Sequence, residues 1–166
     1  MVRSLVVGMG NPLLRDDAVG IRLAAFLRGR LGEAPGLSYV EECSAGGLEI
    51  LDLVAGHDRL VLLDSIKAGG PPGSWYRFDG GALRETMNLR NVHDTNLATA
   101  LELGRRLGLS VPVEGEIHVF AVEVEDNLSF DERMTDALEE RFPEYASEIC
   151  AEVASLLGAA SPPADP

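Results

Sequence analysis

Two carboxylates stand side by side at Asp16 and Asp17, a third ends the apolar run RLVLLD at Asp64, and an imidazole, His93, precedes a helical pattern. Carboxylates and an imidazole can hold a borderline divalent cation, and either group can move a proton during hydrolysis. The first two acids belong to the stretch Ser4 to Gly20, SLVVGMGNPLLRDDAVG. A short apolar run enters Gly8 and Gly10, Asn11-Pro12 turns the chain, and an amphipathic helix begins. A strand, a glycine-rich turn and a helix start together form a common frame for a ligand site. The glycines allow close backbone approach. The two acids suit the helix dipole but repel a phosphate. Gly8-Met9-Gly10 also lacks the third glycine of a dinucleotide fingerprint, and only Glu41 or Glu42 could serve the ribose. The stretch therefore suits a cation or a peptide.

Each of these residues also has a plainer explanation. Asp16 and Asp17 can be ordinary helix-start acids. Asp64 can cap a turn, although an ionised side chain at a buried strand end costs free energy unless it is paired. His93 taken alone fits a structural helix-start residue. His118 lies within a strand and reads as a core histidine, and His57 in the turn GHDR reads as solvated. Cys43 ends a strand near the supposed site, but a nucleophile there needs a base and a lowered pKa. Cys43 and Cys150 have no metal-ligand spacing and read as reduced structural thiols.

The positioning elements follow from periodicity. Residues 3–8, 37–43, 59–64 and 117–122 read as strands, and 74–78 (SWYRF) as a further strand. Helical patterns cover Asp17 to Leu31, Leu48 to Ala55 and Asp94 to Leu107. Ser129-Phe130-Asp131-Glu132 has capping-box spacing, which predicts a helix from there to Leu157 with a break near Phe142-Pro143. The connection before SWYRF is too short for a parallel crossover, so that strand is expected to run antiparallel to the third. The pattern predicts a three-layer α/β/α sandwich with about five strands, mostly parallel, one antiparallel. It is expected to form a single domain over residues 1–158 with a disordered tail, 159–166. In such a sheet ligands bind at the carboxyl ends of the parallel strands. The loop from about Asp79 to Val92 can climb back to that edge, which brings His93 to Asp17 and Asp64.

Composition narrows the partners. The 166 residues are 46% hydrophobic and carry a formal charge of -13. That charge argues against nucleic acid and against an anionic membrane surface. No apolar run is long enough to span a bilayer, and MVRSLVVG lacks a cleavage pattern, so a cytoplasmic protein is expected.

Gly8-Met9-Gly10-Asn11-Pro12-Leu13-Leu14-Arg15-Asp16-Asp17-Ala18-Val19-Gly20 resembles the opening motif of the hydrogenase maturation endopeptidases, G-x-G-N followed by D-[DE]-G/A-x-G. Gly46-Gly47, the Asp of RLVLLD and the His of NVHDTNL continue the resemblance to roughly residue 125. Many members have glycine where this chain has Ala18. The resemblance implies that Asp17, Asp64 and His93 form a catalytic and metal-contacting set. The chemistry of the neighbouring residues lets Asp16 support that set from behind, and Asn11 hold the loop or donate to the carbonyl. The resemblance also implies an endopeptidase that removes the C-terminal peptide from the precursor of a [NiFe] hydrogenase large subunit. It further implies no tightly bound cofactor, because the nickel arrives with the precursor. Two alternatives remain open at this stage. One is a non-catalytic metal-sensing or chaperone-like protein of the same fold. The other is an esterase like peptidyl-tRNA hydrolase, which shares the G-x-G-N-P turn but continues differently.

Overall fold

Ser4–Met9 forms strand β1, and all six of its residues are buried. It pairs in parallel with β2, Leu37–Cys43, on one side and with β3, Arg59–Ile66, on the other. A strand enclosed in this way reads as a continuous apolar run, as SLVVGM does. The sheet order is β2-β1-β3-β5-β4, with β5 at Ile117–Glu123 and β4 at Trp75–Asp79. β3 and β5 are parallel, and β4 runs antiparallel to β5. The computed structural model describes residues 1–44, 48–82 and 92–159, with the side chains of those residues except 48 and 92–96.

Side chains alternate between the two faces of the sheet. On one face Val6, Val61, Leu63, Phe120 and Val122 pack against α1, Val19–Leu31, and α4, Asp136–Leu157, through Leu23, Leu27, Leu138, Ile149 and Val153. On the other face Leu5, Val7, Leu60, Leu62, Ile117 and Val119 meet α2, Leu48–Val54, and α3, Val92–Arg106, through Ile50, Val54, Leu97 and Leu101. This is the expected three-layer α/β/α sandwich. Among the described residues no helix is long and apolar enough to cross a membrane.

Three local expectations change. The antiparallel strand has the predicted direction, but its neighbour is β5 rather than β3. All seven residues of β5 are buried, whereas no residue of β4 is. The strand that can bury both faces takes the inner place, and the half-polar WYRFD takes the edge. The Ser129–Glu132 box does not start a helix, because Asp131 pairs with Leu14 and the last helix begins only at Asp136. Pro143 does not break that helix, which continues through it. Phe142 packs edge-on against Phe26 and Tyr145, and the Tyr145 hydroxyl donates to the Leu138 carbonyl beside the disturbed turn. Tertiary packing thus offsets the missing N–H. The Gly46-Gly47 turn, most of the climbing loop (83–91) and the tail from 160 onward lie outside the described residues.

α1 presses closely on the sheet where it begins. A Cβ at Gly20 would stand 2.3 Å from the Leu63 carbonyl oxygen and 2.4 Å from that of Met9. Gly29, in the same helix, has nothing within 4 Å of such a Cβ. Gly20→Ala is therefore expected to destabilise the protein by about 3 kcal/mol. Gly29→Ala should stabilise it by about 0.5–1 kcal/mol. Urea unfolding of the two variants checks both signs.

Candidate functional site at the carboxyl edge of the sheet

The glycines of the opening stretch make room for the protein's own chain. Gly10 has φ +142°, and a Cβ there would meet the Asp17 carbonyl oxygen at 2.0 Å. A Cβ on Gly8 would meet the Glu41 and Gly20 carbonyl oxygens at 2.4 and 2.6 Å. The close approach inferred from sequence is thus β1 against its own helix start. Between them the loop is a series of local bonds. Asn11 Oδ1 accepts from the Leu13 N–H, and the Asp17 N–H donates to the Leu14 carbonyl. Arg15 takes a left-handed φ of 47°, rare for a residue with a Cβ, and opens one turn of 3-10 helix, Arg15–Ala18. Of the two roles considered for Asn11, holding the loop is the one its bonds support.

Asp16 and Asp17 point to different tasks. Asp16 has no exposed surface. Its Oδ1 accepts from the Thr135 N–H at 2.7 Å. Its Oδ2 accepts from the Glu125 and Asp126 N–H groups at 3.0 and 2.8 Å, and from Thr135 Oγ1 at 3.0 Å. Those partners lie just beyond β5 and just before α4, so one carboxylate ties that connection to the opening loop. Asp17 is only half-buried. Its Oδ2 accepts from the Asn11 N–H at 2.8 Å and its Oδ1 from Ser65 Oγ at 2.9 Å.

Ser65 joins the two predicted acids. Its hydroxyl donates to Asp17, and its N–H donates to Asp64 Oδ1 at 2.8 Å. Asp64 is 5% exposed and lies two residues before the end of β3, which runs to Ile66 rather than stopping at the acid. Ser65 faces the α1 layer and Asp64 the α3 layer, so the carboxylates reach the edge from opposite faces, bridged by one residue. Ser65 was not singled out from sequence. Its signal is weak: a hydroxyl next to a strand-end acid.

The backbone of His93 comes to the same edge. The segment after α3 is tied to the turn after α2 by a bond from the Gly56 N–H to the Ser110 carbonyl, at the amino edge of the sheet. From there a helix of 15 residues rises about 22 Å. Leu97 packs among Leu60 and Leu62. His93 stands one turn further toward the carboxyl edge, as Asp64 stands one step beyond Leu62 on its strand face. The His93 side chain lies outside the described residues. Among the described residues no three His, Cys, Asp or Glu side chains gather as a metal site.

A further buried carboxylate was missed from sequence. Glu123 ends β5 and is 1% exposed. Its Oε1 accepts from the Ala68 and Gly69 N–H groups, both at 2.8 Å. It pins the loop after β3 as Asp16 pins the loop after β5. The Tyr76 hydroxyl lies beside the same carboxylate, and desolvation and that charge together raise its pKa. Asp126 is held down to about 2, mainly by the Ser129 hydroxyl and N–H, with further help from the Leu128 N–H and Arg15.

The other candidates lie apart from this set. Cys43 is buried among the apolar side chains of Met9, Ile50, Leu62 and Leu97. Burial raises the Cys150 thiol. His118 is a core residue as expected, with its pKa lowered by burial. His57 is half-buried rather than solvated, and its Nδ1 is buried without a hydrogen-bond partner. It lies at the amino edge.

Because Asp16 is satisfied only as a carboxylate, Asp16→Asn must turn an NH2 toward at least one backbone donor. That should cost about 2–4 kcal/mol in urea unfolding. Asp17→Asn keeps one acceptor in a half-exposed position and should cost less than about 1.5 kcal/mol. Equal costs would mean that Asp16 is not the tie.

The comparisons with known proteins bear on the family and the fold. The family model HycI, hydrogenase maturation protease, matches residues 28–152, a span that holds Asp64 and His93. The hydrogenase 2 maturation protease of Escherichia coli (strain K12) is 40% identical over 67 residues, 39% of each chain. The hydrogenase expression/formation protein HupD of Thiocapsa roseopersicina is 27% identical over 142 residues, 81% of this chain. The matched stretches span 39% and 64% of these two relatives' lengths. The solved structure of the hydrogenase maturating endopeptidase HybD from E. coli superposes with a TM-score of 0.79 at 25% identity, covering 97% of this chain and 98% of that one. With a family model matching more than half of its length and the same fold throughout, the chain belongs to the hydrogenase maturation protease family.

Proposed function

We propose that this protein is an endopeptidase that removes the C-terminal peptide from the nickel-loaded precursor of a [NiFe] hydrogenase large subunit. The observation that carries this reading is the Asp17–Ser65–Asp64 chain at the carboxyl edge of the sheet, in a member of this family. Two acids from opposite faces of one sheet edge, with an imidazole-bearing helix start above them, form a donor set for a borderline divalent ion. The nickel is part of the substrate, so the protein supplies an incomplete set that the precursor's metal completes. A carboxylate of the pair takes a proton from the attacking water, and the nickel or His93 polarises the scissile carbonyl. The reading places this work in the cytoplasm.

The test is incubation with nickel-loaded and nickel-free precursor, followed by mass spectrometry of the products. A C-terminal peptide should be lost from the loaded form only. Binding without cleavage would favour a metal-sensing protein of the same fold. Asp17→Asn, Asp64→Asn and His93→Ala should each lower kcat/KM by about 100-fold or more. A folded variant that cuts at the wild-type rate would remove its residue from the site.

A further inference from the structure

Three large apolar side chains stand in solvent on the two loops that Asp16 joins. Leu13 is 52% exposed, Leu128 76% and Phe130 84%. The Asp131 N–H donates to the Leu13 carbonyl, and the Arg15 N–H donates to the Asp131 carbonyl, so Leu13 and Phe130 sit on directly paired backbone. Asp126 Oδ1 accepts from the Leu128 and Ser129 N–H groups and shapes the turn between them. Isolated apolar side chains on a surface need no explanation. These three are held outward by a backbone pinned from both sides, next to the loop that carries Asp17. Burying such a side chain is favourable, and the free protein forgoes that gain at each position. Among the described residues the other large exposed apolar side chains lie at the N-terminus (Met1, Val2) or near the amino edge (Leu107, Leu109, Val113).

The charge around these loops is one-sided. Glu125, Asp131, Glu132 and Asp136 are exposed, and the one exposed cation of that stretch, Arg133, lies 3.9 Å from Asp136. An apolar surface with an acidic border complements an apolar segment flanked by Lys or Arg.

We propose that Leu13, Leu128 and Phe130 form the surface on which the substrate polypeptide docks beside the scissile bond, through an apolar segment flanked by basic residues. This rests on the endopeptidase reading and adds where the precursor is held and by what chemistry. The surface acts in binding. The chemistry stays with Asp17 and its partners.

The experiment measures kcat and KM on the nickel-loaded precursor, with biolayer interferometry of the same precursor as a readout independent of cleavage. The variants are Leu128→Ser/Phe130→Ser, Glu132→Lys and, as the control at the other edge, Leu107→Ser/Leu109→Ser. The docking pair should raise KM and the dissociation constant about tenfold or more, with kcat within about twofold and Tm unchanged. Glu132→Lys should weaken binding by about threefold at low salt and by less at high salt. The control pair should match wild type. An unchanged KM in the docking pair, or an equal loss in the control pair, overturns the proposal while leaving the endopeptidase reading intact. If wild type binds the precursor without cutting it and the docking pair weakens that binding, the endopeptidase reading falls and the docking surface stands. If wild type neither binds nor cuts, both fall.

Discussion

A carboxylate with no exposed surface must be satisfied from within the protein, and Asp16 is satisfied by three backbone N–H groups and a hydroxyl. These donors lie more than a hundred residues further along the chain, on the connection between the last strand and the last helix. The arrangement of the edge follows from this tie. It closes the opening loop against the 125–135 connection, lets Leu14 and Asp131 pair, and fixes the 3-10 turn from which Asp17 reaches Ser65. Glu123 does the same for the loop after β3. Two buried acids, Asp16 and Glu123, hold the loops, while Asp17 and Asp64 are bridged by Ser65 at the sheet edge. Neighbouring residues of the same type, Asp16 and Asp17, differ in role because the chain turns between them and buries only one.

Much of this was legible in the sequence. An acid at the end of an apolar strand, or a pair of acids after a glycine turn, goes against the local pattern, and such conflicts concentrate at functional sites. The strand-to-edge logic then assigned Asp17, Asp64 and the His93 backbone to one side of the sheet. The partners were less legible. Ser65 and Glu123 act through register: one follows Asp64 onto the other face, and the other ends the strand beside it. Single-sequence patterning contains no pairing information, and so it also placed β4 beside β3 rather than beyond β5.

The last helix shows how tertiary structure overrides local signals. Ser129 to Glu132 has the spacing of a cap, yet Asp131 pairs with the opening loop and Thr135 is taken by Asp16. The helix starts where those ties release the chain. Pro143 has the character of a helix start, yet a cluster of Phe26, Phe142 and Tyr145 carries the helix past it. The glycines were read correctly as sites of close approach. What approaches them is the protein's own backbone, Asp17 at Gly10, and Glu41 and Gly20 at Gly8.

On the proposed function, Asp17, Asp64 and His93 act on one metal ion. The most direct measurement is anomalous diffraction at the nickel absorption edge from crystals soaked with nickel, which here stands in for the metal carried by the precursor. One strong peak is expected at the carboxyl edge of the sheet, within bonding distance of the Asp17 and Asp64 carboxylates and the His93 imidazole. A peak elsewhere, or one at this edge that His93 does not touch, would contradict that reading.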